Sequence, residues 1–177
     1  MKKDNEYGKA LFLLSEEEGK TETILQDIKT AEMLFLDNPD YSKLLDTPAI
    51  SKSERGSLVD KAFFSLDEYV RNLLKILCDK RETYTFGDVA KTYYSLYDES
   101  RGIERVEAIT AIPMNESQML LMKKKLENIT DKTVIIINTV SPDILGGVKL
   151  RFGNRQLDGS LKTRLKKFEE SLKAKIV

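Results

Sequence analysis

The glycines of segment 144–165, ILGGVKLRFGNRQLDGSLKTRL, are the residues whose spacing most suggests chemistry, since this segment holds four of the chain's nine glycines. A glycine-rich loop can bring backbone N–H groups close to a phosphate, and such a loop usually ends in Lys-Ser or Lys-Thr before a helix. Gly146-Gly147 is followed instead by an alternating strand pattern, and Gly153 and Gly159 belong to separate turns. We therefore expect these glycines to shape a strand entry, a hairpin and a helix start, and not to bind a nucleotide.

Side chains for acid–base or nucleophilic catalysis are scarce. The chain contains no histidine, which removes the commonest general base and metal ligand. Its single cysteine, Cys78, cannot form an internal disulfide or a cysteine cage for zinc, and its place in the run LLKILC predicts a buried apolar role. The adjacent acids Asp98-Glu99 would not face each other on a helix. The sequence thus argues against a hydrolase or transferase and predicts no catalytic residue, cofactor or metal site.

The first hundred residues are predicted to be helical with short breaks. Apolar residues recur at three- and four-residue spacing in six segments. Gly19 marks the end of the first helix, while later starts are marked by Asn38-Pro39, by the capping box Ser51-Lys52-Ser53-Glu54 and by Asp67. Six helices joined by turns this short predict a helix bundle.

The pattern changes near Arg101-Gly102 from helical spacing to alternation. ERVEAITAIP and GVKLRF alternate apolar and polar residues, KTVIIINTV is a β-branched run, and Asn115 caps a helix between the first two strands. Gly153-Asn154 suits a two-residue type II′ hairpin turn. The final predicted helix runs from about Leu161 to Lys175. Its apolar stripe consists of Leu161, Leu165, Phe168 and Leu172.

The predicted fold class is α+β, with two domains. Residues 1–104 would form a six-helix bundle, and residues 105–177 a small α/β domain with a few-stranded sheet and a C-terminal helix. The formal net charge is zero, but residues 1–104 carry 15 basic and 21 acidic residues, net −6, and residues 105–177 carry 14 and 8, net +6. Such a split suggests different partners for the two regions. A nucleic-acid-binding module stays open as an alternative, although the neutral total and the lack of aromatic residues in the basic run argue against it.

Two stretches resemble a known family. Gly146-Gly147, Gly153 and Asp158-Gly159-Ser160, with Leu161 and Leu165 after them, resemble the C-terminal signature of the ATP synthase delta subunit, the family of the oligomycin-sensitivity-conferring protein. The opening Tyr7-Gly8-Lys9-Ala10-Leu11-Phe12 resembles the family's Tyr-Ala-Lys-Ala-Leu-Phe and differs by Gly8 for alanine. The resemblance covers almost the whole chain. It implies a non-catalytic stator subunit in the peripheral stalk of the rotary proton-translocating ATP synthase, which keeps the catalytic head from turning so that rotor torque drives ATP synthesis.

The resemblance also implies a groove for an alpha-subunit helix. In this family the N-terminal helix of an alpha subunit lies between the first and fifth helices of the bundle. Both helices carry more apolar residues here than one core face uses, including Phe12 and Leu13 on the first and Tyr69 and Ile76 on the fifth. Anchors of a partner helix could pack between them. The residues that we place at this groove are Tyr7, Ala10, Leu11, Leu14, Leu73, Ile76 and Leu77.

The resemblance also implies a second partner, the b subunits of the peripheral stalk, which the C-terminal domain would hold. The candidate residues are basic: Lys162, Arg164, Lys166 and Lys167 could attract acidic stalk helices, while apolar contacts hold them. We expect no nucleic-acid partner and no membrane insertion, because no apolar run approaches the roughly 18 residues of a span. A bacterial peripheral membrane protein on the cytoplasmic face of the cell membrane is expected, since no transit-like leader precedes the match.

Overall fold

The structure is a computed structural model that describes residues 3–144, 146–153 and 155–159. The chain divides into two compact units, Met1–Asp98 and Glu99–Val177, a few residues ahead of the predicted boundary. Six α-helices and a 3-10 turn precede the first strand. They are α1 (Lys3–Glu17), α2 (Thr21–Asp37), α3 (Pro39–Asp46), α4 (Lys52–Ala62), α5 (Glu68–Lys80), the 3-10 turn (Thr83–Thr85) and α6 (Phe86–Ser100).

The predicted helix starts are present, with one correction. At the start of α4, the Ser51 hydroxyl accepts from the backbone N–H of Glu54, and the Glu54 carboxylate accepts from the backbone N–H of Ser51. Asp67 likewise caps α5 with its carboxylate. Asn38 occupies the N-cap position of α3, but its side-chain amide donates to the carbonyl oxygen of Leu34 at 3.0 Å, so it closes the end of α2 instead of capping α3.

The helical unit has one apolar core. Its largest fully buried side chain is Tyr93 on α6, whose ring meets that of Phe12 on α1 edge to face with centroids 5.5 Å apart. The Tyr93 hydroxyl donates to the carbonyl oxygen of Thr21 and shares a hydrogen bond with Ser15, so its polar atom is satisfied in the core. Other fully buried core residues include Ile24, Ile28, Leu45, Val59, Val70, Leu74, Leu77 and Val89.

The second unit is a four-stranded sheet with a helix between its first two strands. Its elements are β1 (Ile103–Thr110), α7 (Glu116–Thr130), β2 (Thr133–Val140), β3 (Val148–Phe152) and β4 (Arg155–Asp158). The strand order is β2-β1-β3-β4. β1 and β2 are parallel, as a helical crossover allows, and the other two pairs are antiparallel. The described residues therefore contain seven α-helices and a four-stranded sheet, which confirms the α+β class.

The turn residues of this sheet behave partly as predicted. Phe152 pairs with Arg155, which leaves a two-residue connection, and Gly153 within it has a positive φ of 49°. Asn115 caps α7 and forms a capping box with Gln118. Asn154, Ser160 and the predicted last helix lie outside the described residues.

Candidate partner-binding surfaces

Helices α1 and α5 lie side by side in opposite directions. Near the start of α1, the Tyr7 ring lies 5.0 Å from the ammonium of Lys80 at the end of α5, and Lys80 also donates to the Tyr7 hydroxyl. Just after α1, Lys20 forms an ion pair of 2.9 Å with Asp67 and lies over the Tyr69 ring, at the start of α5. Polar contacts thus join the two helices at both ends, and we call the surface between them the α1–α5 seam.

The seven predicted groove residues differ in how deeply they are buried along this seam. Leu77 is fully buried, and Leu11 and Leu73 are nearly so, which makes these three part of the helical core. Tyr7 and Leu14 are partly exposed. Ala10 and Ile76 are exposed, with Ile76 44% accessible. A partner helix lying on the seam would therefore touch Tyr7, Ala10, Leu14 and Ile76. Leu11, Leu73 and Leu77 lie beneath these residues, in the helical core.

The sequence analysis named four apolar residues on α1 and α5 beyond those that one core face uses, and these four also differ in exposure. Phe12 faces the core against Tyr93 and is not available to a partner. Tyr69 is partly buried and packs against the core, under the ammonium of Lys20. Leu13 is 53% exposed. The surface part of the apolar surplus therefore consists of Leu13 and Ile76.

The contact between Lys20 and Asp67 shifts the pKa values of both residues at this end of the seam. The hydrogen bond from Lys20 to Asp67 raises the pKa of the Lys20 ammonium. Burial alone would raise the pKa of Asp67, but hydrogen bonds from the Tyr69 N–H and from Lys20 outweigh it and hold this pKa below the usual value. Sequence reasoning missed the pairing of Lys20 with Asp67, because it joins residues far apart in the chain.

The helical unit offers little for catalysis. Burial raises the pKa of the Cys78 thiol to about 12, so the thiol stays protonated at neutral pH. Arg55 is also buried, and its Nη1 donates to the carbonyl oxygen of Cys78 at 3.0 Å. This hydrogen bond links α4 to the end of α5. Among the residues that the structure describes, no group of three or more cysteine, aspartate or glutamate side chains is placed to hold a metal ion.

A second surface lies on the sheet. The described residues line a groove of about 850 Å³ beside α7, and this lining is mostly apolar. Its walls include Leu121, Leu126 and Ile129 of α7, and its floor includes Leu150 and Leu157 of the sheet. The sequence analysis did not predict this groove, because its walls come together only when β3 and β4 pair beside β1. The four basic residues proposed for b-subunit contact, Lys162, Arg164, Lys166 and Lys167, lie outside the described residues.

None of the helices described, α1 to α7, combines the length and the apolar character that crossing a bilayer needs.

Comparison with known proteins identifies the family. The family model for the ATP synthase delta (OSCP) subunit matches residues 4–172. ATP synthase subunit delta of Clostridioides difficile (strain 630) is 38% identical over 170 residues, 95% of this chain and 94% of the relative. The same subunit of Carboxydothermus hydrogenoformans is 31% identical over 166 residues, 94% of each chain. A chain in the cryo-EM structure of the Toxoplasma gondii mitochondrial ATP synthase hexamer shares the fold, with a TM-score of 0.76 and 19% identity over 97% of this chain and 98% of that chain. The chain therefore belongs to the ATP synthase delta (OSCP) subunit family, whose members are structural and non-catalytic components of the peripheral stalk.

Proposed function

We propose that this subunit is the stator joint that links the catalytic head of a proton-translocating ATP synthase to its b subunits. The observation that carries the proposal is the α1–α5 seam, where exposed apolar residues lie over a leucine floor between two helices. A stator joint must resist torque through persistent binding and needs no chemistry of its own. The seam supplies such a binding surface, and family membership supplies the assembly in which it acts.

The proposal also assigns a different partner to each of the two units. Residues 1–104 would act as a six-helix bundle that binds the head, and residues 105–177 as an α/β domain that binds the b subunits with help from its C-terminal helix. The single apolar core shared by the helices supports the first half. The separate core around Val106, Leu126 and Val134 supports the second, because each unit can then hold its own partner surface.

The partner for the seam is the N-terminal helix of an alpha subunit. An amphipathic helix can place apolar anchors between two host helices, here against Tyr7, Ala10, Leu14 and Ile76. Burying one large apolar side chain contributes about 1.5–3 kcal/mol, before the costs of association and ordering are subtracted. Two or three such anchors, with Leu13 at the rim, would support a stable grip.

The location follows from the assembly. We place the protein on the cytoplasmic face of a bacterial cell membrane, held there as a peripheral component through its partners. The bacterial relatives that match it over almost their full length support this placement. Its own surface needs no lipid contact for this role.

Co-purification with the catalytic head tests the proposal. The wild-type subunit should be retained by an intact head and lost from a head whose alpha subunits lack the N-terminal helix. Ile76→Glu should weaken retention strongly, because it puts a charge where an apolar anchor would pack. Leu36→Glu is the matched control, because Leu36 is an exposed leucine on α2, outside the seam. Equal retention by the truncated head, or equal loss with both variants, would show that the seam is not the binding surface.

A further inference from the structure

The stripe of α1 that faces the α1–α5 seam ends in a negative charge. Four residues follow one another at spacings of three, four and three, which places them on one side of the helix: Tyr7, Ala10, Leu14 and Glu17. Glu17 is the last residue of α1, and its side chain is exposed. A partner helix that follows the apolar part of this stripe therefore reaches a carboxylate.

The stripe of α5 ends in a positive charge. Its residues follow one another at spacings of four, three and four: Tyr69, Leu73, Ile76 and Lys80. Lys80 is the last residue of α5 and is exposed. Because the two helices run in opposite directions, Glu17 and Lys80 lie at opposite ends of the seam. Tyr7, which Lys80 contacts, precedes Glu17 by three helical turns, about 15 Å.

The Lys80 ammonium has no carboxylate partner among the described residues. It donates to the hydroxyl of Tyr7, and this hydrogen bond raises the pKa of Lys80, so the ammonium stays charged at neutral pH. The carboxylate next to it in the sequence, Asp79, lies 2.6 Å from the ammonium of Lys52. An ammonium has three donors, so Lys80 can also bind a carboxylate of a partner.

Glu17 is likewise without an ion pair in the described part of the chain. Lys20, the next cation in the sequence, is paired with Asp67. Glu17 also lies in the last turn of α1, which contains no basic residue and where the helix macrodipole disfavours a carboxylate. The carboxylate therefore lowers the stability of the free helix, and a cation of a bound partner would offset this cost.

We propose that the seam selects its partner by charge order: the bound helix has a carboxylate against Lys80, a cation against Glu17 and apolar anchors between them. This inference rests on the proposed binding of the seam to the catalytic head, and it specifies the chemistry of the partner. The two charges of the partner lie about three turns apart, because about 15 Å separate their counterparts on the seam. Apolar contacts supply most of the affinity, whereas the charge order fixes which way round the helix lies.

Binding of the full chain to the intact catalytic head tests the charge at Glu17. Glu17→Lys should stabilise the free protein against urea, because a cation is favoured in the last turn of a helix. It should nevertheless weaken binding to the head several-fold at low salt. Asp37→Lys makes the same charge change in the last turn of α2, outside the seam, and should raise stability without changing binding. A structural role alone would not move stability and binding in opposite directions.

Lys80→Gln tests the other end of the seam, because glutamine keeps a donor for Tyr7 but removes the charge. Binding to the head should again weaken several-fold at low salt, and the loss should shrink as salt screens the charges. Lys61→Gln is the matched control, since Lys61 is the exposed basic residue in the last turn of α4. This control variant should bind the head as the wild type does.

Ile76→Glu separates this inference from the proposed function. If Ile76→Glu loses the head while Glu17→Lys and Lys80→Gln bind it as tightly as wild type at low salt, the charge order is wrong and the head-binding role stands. If Ile76→Glu also binds as tightly as wild type, the seam is not the binding surface and both ideas fail. Equal weakening by Asp37→Lys and Glu17→Lys would assign the effect to total charge and would also overturn the charge order.

Discussion

Gly8 of α1 lies so close to α6 that a Cβ atom at its position would be 2.6 Å from the carbonyl oxygen of Val89 and 2.7 Å from Cβ of Thr92. Glycine in a helix interior costs about 0.5–1 kcal/mol relative to alanine. The close contact between the two helices gives a physical reason for accepting that cost.

Gly8→Ala should destabilise the helical unit despite the gain in helix propensity. The new methyl group meets a backbone carbonyl that cannot rotate away, so α1 and α6 must separate, at a cost of about 1–3 kcal/mol. Gly56→Ala is the control, because Gly56 is also inside a helix but nothing lies within 4 Å of the added atom. Urea unfolding should show a loss of stability for Gly8→Ala and a gain of about 0.5–1 kcal/mol for Gly56→Ala. A Gly8→Ala protein as stable as wild type would contradict the tight packing.

The Lys20–Asp67 ion pair should stabilise the protein in a pH-dependent way. Because the pKa of Asp67 is lower in the folded than in the unfolded chain, its contribution is present above the unfolded value and is lost as the pH falls through the folded value. The Lys20 side chain is 40% exposed, so screening by water keeps the loss of stability on Lys20→Met small at neutral pH. The difference from wild type should shrink as the solution is acidified past the folded pKa of Asp67.

Lys43→Met serves as the comparison for this pair. Lys43 also bonds an aspartate, Asp40, but both side chains are almost fully in solvent. Chemical unfolding at several pH values should therefore show no measurable loss for Lys43→Met. A loss for Lys20→Met that does not change with pH would mean that its contact with the Tyr69 ring, and not the charge pair, provides the stability.

The Cys78 thiol should report unfolding and nothing else. It is buried in the core of the helical unit, and its pKa of about 12 leaves almost no thiolate at pH 8. Native protein should therefore react slowly with a disulfide reagent such as 5,5′-dithiobis(2-nitrobenzoic acid), and the rate should rise with urea as the core opens. Tyr84→Cys adds an exposed thiol to the same chain and should give one fast and one slow reaction. Rapid labelling of Cys78 in native wild type would contradict its burial.

Local signals made most of the elements predictable. The Ser51–Glu54 capping box and the Asp67 cap depend on residues within one helical turn, and both are present. Asn38 shows the limit of such signals, since a capping residue can bond the helix before it or the helix after it. The two-residue hairpin at Gly153 was predictable because a positive φ there favours glycine.

The surfaces were less predictable than the elements, because they depend on distant pairs. Apolar periodicity showed that α1 was broadly apolar, but it could not show that Phe12 would be covered by Tyr93 while Leu13 stayed exposed. The groove beside α7 depends on the strand order, which places Leu157 next to Leu150. A wide apolar arc on a helix indicates surplus surface, whereas three-dimensional neighbours decide which residues remain on it.

The basic residues of segment 162–167 should speed association with the b subunits, as the proposed stator role requires. Lys166 is one of the four basic residues that we assign to contact with acidic stalk helices. Lys166→Glu should slow association with a soluble b-subunit fragment several-fold at low salt, because complementary charge mainly sets the on-rate. The defect should fade as salt rises and screening shortens below the Debye length of about 8 Å at physiological ionic strength. Lys43→Glu makes the same charge change in the helical unit and should leave the rate unchanged. Stopped-flow measurements that find equal slowing by both variants would assign the effect to total charge, and the basic segment would then have no specific role in docking.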